Sequence, residues 1–174
     1  MDLLAQSEAT PAAWPAVPSG LSPQAASLDP EMIWARLEAY TCTRYTPRAV
    51  AWTIEGRAGE VFMPPLEPLV SHFAERWWDA DWTAIDLLAA PLGLYLPSGG
   101  VFRISGQVGA GPVPAAVSEA FRRLAEYSAQ VGTGADGFTS VTDGEVSVER
   151  AATWAARAIQ NSGAADLLRL YRRA

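Results

Sequence analysis

Val117, Ala120, Phe121, Leu124, Tyr127, Ser128 and Val131 recur every three or four residues behind Pro114. That is the period of an α-helix with one apolar face, and such a stripe must be covered by other elements. Gly132 is the predicted stop. Glu119 with Arg123, and Arg122 with Glu126, are spaced to pair on the polar face. Just before this helix, "VFRIS" alternates like a strand and runs into a loop with glycines at 106, 109 and 111.

Strand, glycine loop, helix is also the order of a phosphate-binding loop. A dinucleotide fingerprint reads G-x-G-x-x-G with an acid about 20 residues later. The spacing here is reversed, Gly106-x-x-Gly109-x-Gly111, and Pro112 and Pro114 follow. Pro114 removes one of the N–H groups that would hold a phosphate at the helix start. No βαβ alternation surrounds the loop. Its glycines are therefore predicted to let a strand end and turn sharply, and no cofactor is expected.

The remaining elements follow from local signals. Residues 1–28 are rich in Pro, Ala and Ser and show no period, the composition of a disordered arm. Such an arm becomes ordered only against something else, either a neighbouring subunit or partner, or its own domain through Trp14. Trp14, Pro15 and Pro18 are its candidate contact residues. Asp29-Pro30 starts a helix that carries Ile33, Trp34, Leu37, Tyr40 and Thr41 and is predicted to end near Tyr45. Residues 50–63 read as a hairpin with Val50, Trp52 and Ile54 on one face and a return through Val61 and Met63. Leu69 to Trp77 alternates again, "DAD" at 79–81 is a turn, and a second hairpin is predicted about residues 97–100. After a polar loop with a short strand, Ser147 is placed to cap a last helix bearing Val148, Ala151, Trp154, Ala155, Ala158 and Ile159. "NSG" at 161–163 interrupts it before the final segment. The predicted class is α+β: a small helical bundle, antiparallel hairpins between the first helix and the C-terminal helices, and an extended N-terminal arm. Its division is an arm at 1–28, a main domain at 29–163 and a C-terminal segment at 164–174.

Composition removes most chemistry. All 13 basic residues are arginines, so P-loop lysines, Schiff bases and lysine general bases are absent. One Cys and one His exclude Cys/His zinc clusters. His72 lies in an alternating run with no nucleophile elbow nearby, which makes it a strand histidine. Asp79, Asp81 and Asp86 could touch one hard cation. They lack the glycine and distal Glu of an EF-hand loop, and turn residues are the better reading. No apolar run is long enough to span a membrane. The formal charge of −6 argues against gripping DNA phosphates. That charge is uneven: residues 150–174 carry +4 and residues 1–149 carry −10. A basic tail on an acidic body suits an acidic partner surface, or else a solvated helix end.

Three stretches taken in order resemble the head–tail connector (adaptor) proteins of tailed phages and of phage-like gene transfer agents. They are "WTIEGRAGEVFMPPLEPLVSHF", then "VPAAVSEAFRRLAEYSA" behind the strand and glycine loop, and "LLRLYR" near the end. The resemblance covers roughly residues 33–173. It implies a structural protein without catalysis: a homo-oligomeric ring, typically a dodecamer, under the portal of a DNA-filled head. Such a ring extends the DNA channel, passes DNA without sequence-specific binding, and receives stopper and tail components. It implies a place in the virion or particle neck, assembled in the bacterial cytoplasm, with no membrane and no cofactor or metal. The candidate portal-docking residues are Leu167, Leu168, Arg169, Leu170, Tyr171, Arg172 and Arg173. The alternatives are another ring component, a stopper or tail terminator, or a small-ligand or metal-binding enzyme.

Overall fold

The computed structural model describes residues 1–132, 140–143, 146–149 and 154–172. The chain is α+β and divides into two units that it enters alternately: residues 1–14 with 42–112, and residues 15–41 with 113–174.

The first unit is all β. Its larger sheet contains β1 (Asp2–Glu8), β2 (Arg48–Gly56), β4 (Leu69–Trp78), β5 (Asp81–Ile85) and β8 (Gly100–Val108), in the order β1-β2-β8-β4-β5, with every pair antiparallel. A smaller sheet joins β3 (Val61–Phe62), β7 (Gly93–Tyr95) and β6 (Leu88–Ala90) in that order. The period-2 pattern sets which face is buried. Val50, Trp52 and Ile54 of β2 and Phe102 and Ile104 of β8 share one core, joined by Phe62, Leu66, Leu94 and Leu96. The Trp52 and Phe62 ring centroids lie 5.6 Å apart.

Two predicted pairings are corrected here. Residues 50–63 do not close on themselves, because β2 pairs with β1 and β8 while β3 pairs with β7. Likewise β7 and β8, on either side of residues 97–99, belong to different sheets. In this unit the hairpins that form are β4–β5 and β6–β7, still between the first predicted helix and the later ones. Alternation identifies a strand and its buried face but says nothing about its neighbour. Within the arm, residues 2–8 form a strand and Pro23–Ala26 a short helix, α1, elements that its composition did not signal.

The β4–β5 turn places Asp79 at φ 51° and Ala80 at φ 61°. Both central residues of this two-residue loop are left-handed, a turn in which glycine is the usual second residue. Ala80→Gly is therefore expected to raise stability by about 0.5–1 kcal/mol, since relief of Cβ strain exceeds glycine's entropy cost. A lowered thermal midpoint for this variant would contradict the turn geometry.

The second unit is mainly helical. It comprises α1, α2 (Pro30–Thr41), α3 (Ala115–Gly132), α4 (Trp154–Asn161) and α5 (Ala164–Leu167), with a 3-10 turn at Arg169–Tyr171. Asp29 Oδ1 accepts the Glu31 N–H at 3.0 Å, the cap that Asp-Pro predicts. α2 ends at Thr41 rather than near Tyr45, because Cys42 turns left-handed at φ 59°. The stripe on α3 buries Val117, Ala120, Phe121 and Leu124, and then continues through Ala125 and Ala129. Glu119 pairs with Arg123 at 3.0 Å and with Arg122 at 2.7 Å. Glu126 accepts the Ser22 N–H at 2.6 Å and the Ser22 hydroxyl at 2.8 Å, instead of the predicted bond from Arg122.

Ser147 does not cap a helix. It pairs with Thr142 in an antiparallel ladder between β9 (Ser140–Asp143) and β10 (Val146–Glu149), and α4 starts only at Trp154. Val141, Thr142, Val146 and Val148 are β-branched and suit strands. Ala151 lies outside the described residues. Ala158 and Ile159 of the predicted stripe are buried, and Gly163, at φ 72°, separates α4 from α5.

Candidate functional site

The residues considered for chemistry do not converge. His72 is exposed on β4, and Asp79, Asp81 and Asp86 are exposed along the β4–β5 turn and just beyond β5. Asp81 accepts the backbone N–H of Trp82 at 2.7 Å, an ordinary turn contact. Among the described residues no group of three His, Cys, Asp or Glu side chains is placed to hold a metal ion. None of the helices searched is long and apolar enough to cross a membrane.

The glycine loop is explained by close backbone approach. Gly106 lies in β8 between β2 and β4, and a Cβ there would strike the Ser71 carbonyl. Gly109 follows β8 at φ 95°, and its Cβ would strike the Thr46 carbonyl. Its N–H donates to the Pro68 carbonyl at 3.0 Å. Both positions require the smallest residue to let two strands and a connecting loop meet.

The C-terminal candidates separate by exposure. Leu168 is fully buried in its own unit, and Leu167 and Tyr171 are half-buried. Arg169 and Arg172 are exposed, and Leu170 is 94% exposed on the 3-10 turn. The Arg172 guanidinium stands 5.2 Å over the Tyr40 ring. Arg173 lies outside the described residues. Leu170 is thus an apolar side chain left in solvent beside exposed Arg169 and Arg172.

In the N-terminal segment, Trp14, Pro15 and Pro18 are half-buried. The Arg48 guanidinium lies 5.0 Å over the Trp14 ring. Arg48 also meets Glu8 at 3.2 Å, and Glu8 takes a two-point bond from Arg44 at 2.5 and 2.8 Å. The Arg44 hydrogen bond, with the charges of Arg44 and Arg48, holds the Glu8 carboxyl below its ordinary value of 4.5 against the opposing effect of burial. Hydrogen bonds from Arg122 and Arg123 hold Glu119 down to about 2. A carboxyl lowered in the folded state contributes stability that is complete above its unfolded value and is lost as pH falls through the folded one. The thermal midpoint is thus expected to fall on acidification from pH 4.5 towards about 2. Glu8→Gln should flatten that dependence, and an unchanged slope in the variant would contradict the assignment.

A second surface was not foreseen from the sequence. On the sheet face away from the core, Trp77 pairs across the β4–β5 hairpin with Trp82, their rings 5.2 Å apart. Arg103, bonded to Glu75 at 2.7 Å, stacks on Trp82 at 4.5 Å. Phe73 and Trp77 are 54% and 43% exposed. On the other face Arg76 stacks on Trp78 at 4.6 Å beside an open pocket of about 220 Å³ lined by Thr83, Ala84 and Ile85. The run "ERWWDADW" carries the signal: three tryptophans on both faces of one short hairpin cannot all enter a single core.

No protein-family model matches the chain, and no curated protein matches it. Among solved structures, the fold is similar to a chain from the neck of an empty gene transfer agent (GTA) particle computed with C6 symmetry. The TM-score is 0.54 at 18% identity, covering 98% of this chain and 96% of that one. A chain from the virion of a native gene transfer agent aligns with a TM-score of 0.46 at 21% identity, over 76% of this chain and 73% of that one.

Proposed function

We propose that this chain is a structural subunit of the neck of a phage-like gene transfer particle: an adaptor that forms a ring under the portal, extends the DNA channel and receives the stopper and tail. The observation that carries the reading is the whole-length fold likeness to a chain of a GTA particle neck, with almost nothing left over in either chain. The order of the three connector-like stretches agrees with it. In this reading the C-terminal segment docks on the portal. Arg169 and Arg172, with Arg173, answer an acidic portal surface, and the exposed Leu170 adds apolar contact. The acidic body faces passing DNA without holding it, since tight binding to phosphates needs a basic wall. The subunit performs no catalysis.

Removing the chain from the producing cell tests the role. DNA-filled heads should accumulate without tails and lose their DNA, and restoring the chain should restore tailed particles. Tailed particles that deliver DNA in its absence would overturn the proposal.

A further inference from the structure

Residues 42–112 supply four strands of the larger sheet, and residues 2–8 supply the fifth, at its β2 edge. Trp52 is fully buried, and its indole N–H donates to Gln6 Oε1 of β1 at 3.1 Å. Arg44 and Arg48 are 7% and 6% exposed, and Glu8 of β1 is a carboxylate that receives both. At the other end of the strand the amino terminus reaches Glu60 at 3.4 Å. The β2 edge is therefore a built site for a strand that carries Gln6 and Glu8 at fixed positions. Leaving it empty would take the Gln6 acceptor from the buried Trp52 N–H and the Glu8 carboxylate from the two arginines, which is costly.

The strand that fills the site is an edge strand, paired on one side only. All seven residues of β1 are exposed, and Leu3 and Leu4 remain 50% and 54% exposed. Its attachment is backbone pairing plus the polar contacts above. Beyond Ala9 the chain has no strand or helix until Pro23, and Pro11, Pro15 and Pro18 lie between. Within that stretch Trp14 packs on Arg48 and Ser22 bonds to Glu126, so the residues between Trp14 and Ser22 form the linker, and fully extended they reach roughly 25 Å.

We propose that in the assembled ring residues 1–8 of each copy dock on the β2 edge of the next copy, so that each subunit completes its neighbour's sheet. This rests on the neck-ring reading. Every contact made within one chain is available between identical chains, so exchange sacrifices none of them. What decides is the local concentration of neighbouring edges, which ring closure raises sharply. Strand addition to an open sheet edge is a recurrent mode of protein joining. A ring tied in this way resists being pulled apart subunit by subunit.

Engineered disulfides test the exchange. Ala5 stands directly opposite Thr53, and Ser7 opposite Ala51. In a Cys42→Ser background, Ala5→Cys with Thr53→Cys, and separately Ser7→Cys with Ala51→Cys, are oxidised in the monomer and in the ring, the ring assembled alone or on portal. Denaturing gels without reductant should show single chains from the monomer. From the ring they should show a covalent ladder up to the closed oligomer that collapses on reduction. Rings in which both pairs close within one chain would overturn the exchange and leave the ring intact. An equal ladder from Ala5→Cys alone would overturn it too, as random collision. A subunit that never assembles, alone or with portal, would overturn the neck-ring reading itself, and the exchange with it.

Discussion

Phe121→Ala is expected to cost about 3–5 kcal/mol of stability and to lower the thermal midpoint by something on the order of 10 °C. Phe121 is 1% exposed at the centre of the α3 stripe, and its ring centroid lies 4.7 Å from that of fully buried Trp34 on α2. The ring also borders a void of about 30 Å³ shared with Leu21, Ala25 and Ile33. Truncation would enlarge that void, and the facing helices cannot both collapse onto a methyl group, so the lost transfer energy and the cavity cost add. Thermal or denaturant unfolding checks this, and a loss below about 1 kcal/mol would show that the stripe is not what holds the helical unit together.

Leu170→Asp is expected to do the reverse: no change in thermal midpoint, but attachment to portal weakened by about 100-fold or more, roughly 2.7 kcal/mol. At 94% exposure the side chain contributes almost nothing to its own fold. The new carboxylate would also oppose an acidic partner surface. Deleting the whole segment does not separate these effects, because Leu168 is buried and its removal would cost the unit part of its core. A Leu170→Asp subunit that melts normally and binds portal as tightly as before would place the docking element elsewhere.

The sequence makes some of this architecture legible and hides the rest for definite reasons. The stripe from Val117 to Leu124 and the alternation of Val50, Trp52 and Ile54 declare themselves because one face is buried and the other is not. Asp29-Pro30 and Gly163 declare themselves because caps and left-handed positions have strong local chemistry. Strand partners do not, since the neighbours of β2 are residues 2–8 and 100–108 and nothing local specifies them. β1 is the extreme case: both its faces are solvated, so it lacks any period. The final segment is legible as a cluster of Leu and Arg. Which leucine is core and which is offered outward depends on the register of a 3-10 turn after Leu168. The Trp77–Trp82 pair was available in "ERWWDADW" but became visible only once cross-strand register placed the two rings together.

The central claim is that this chain is a ring-forming neck subunit that docks on portal. Native mass spectrometry of the purified chain mixed with portal rings tests it most directly. The expected result is a single complex in which a closed ring of subunits occupies one portal, absent from the Leu170→Asp mixture. A chain that remains monomeric and leaves the portal mass unchanged at every concentration tried would contradict the account.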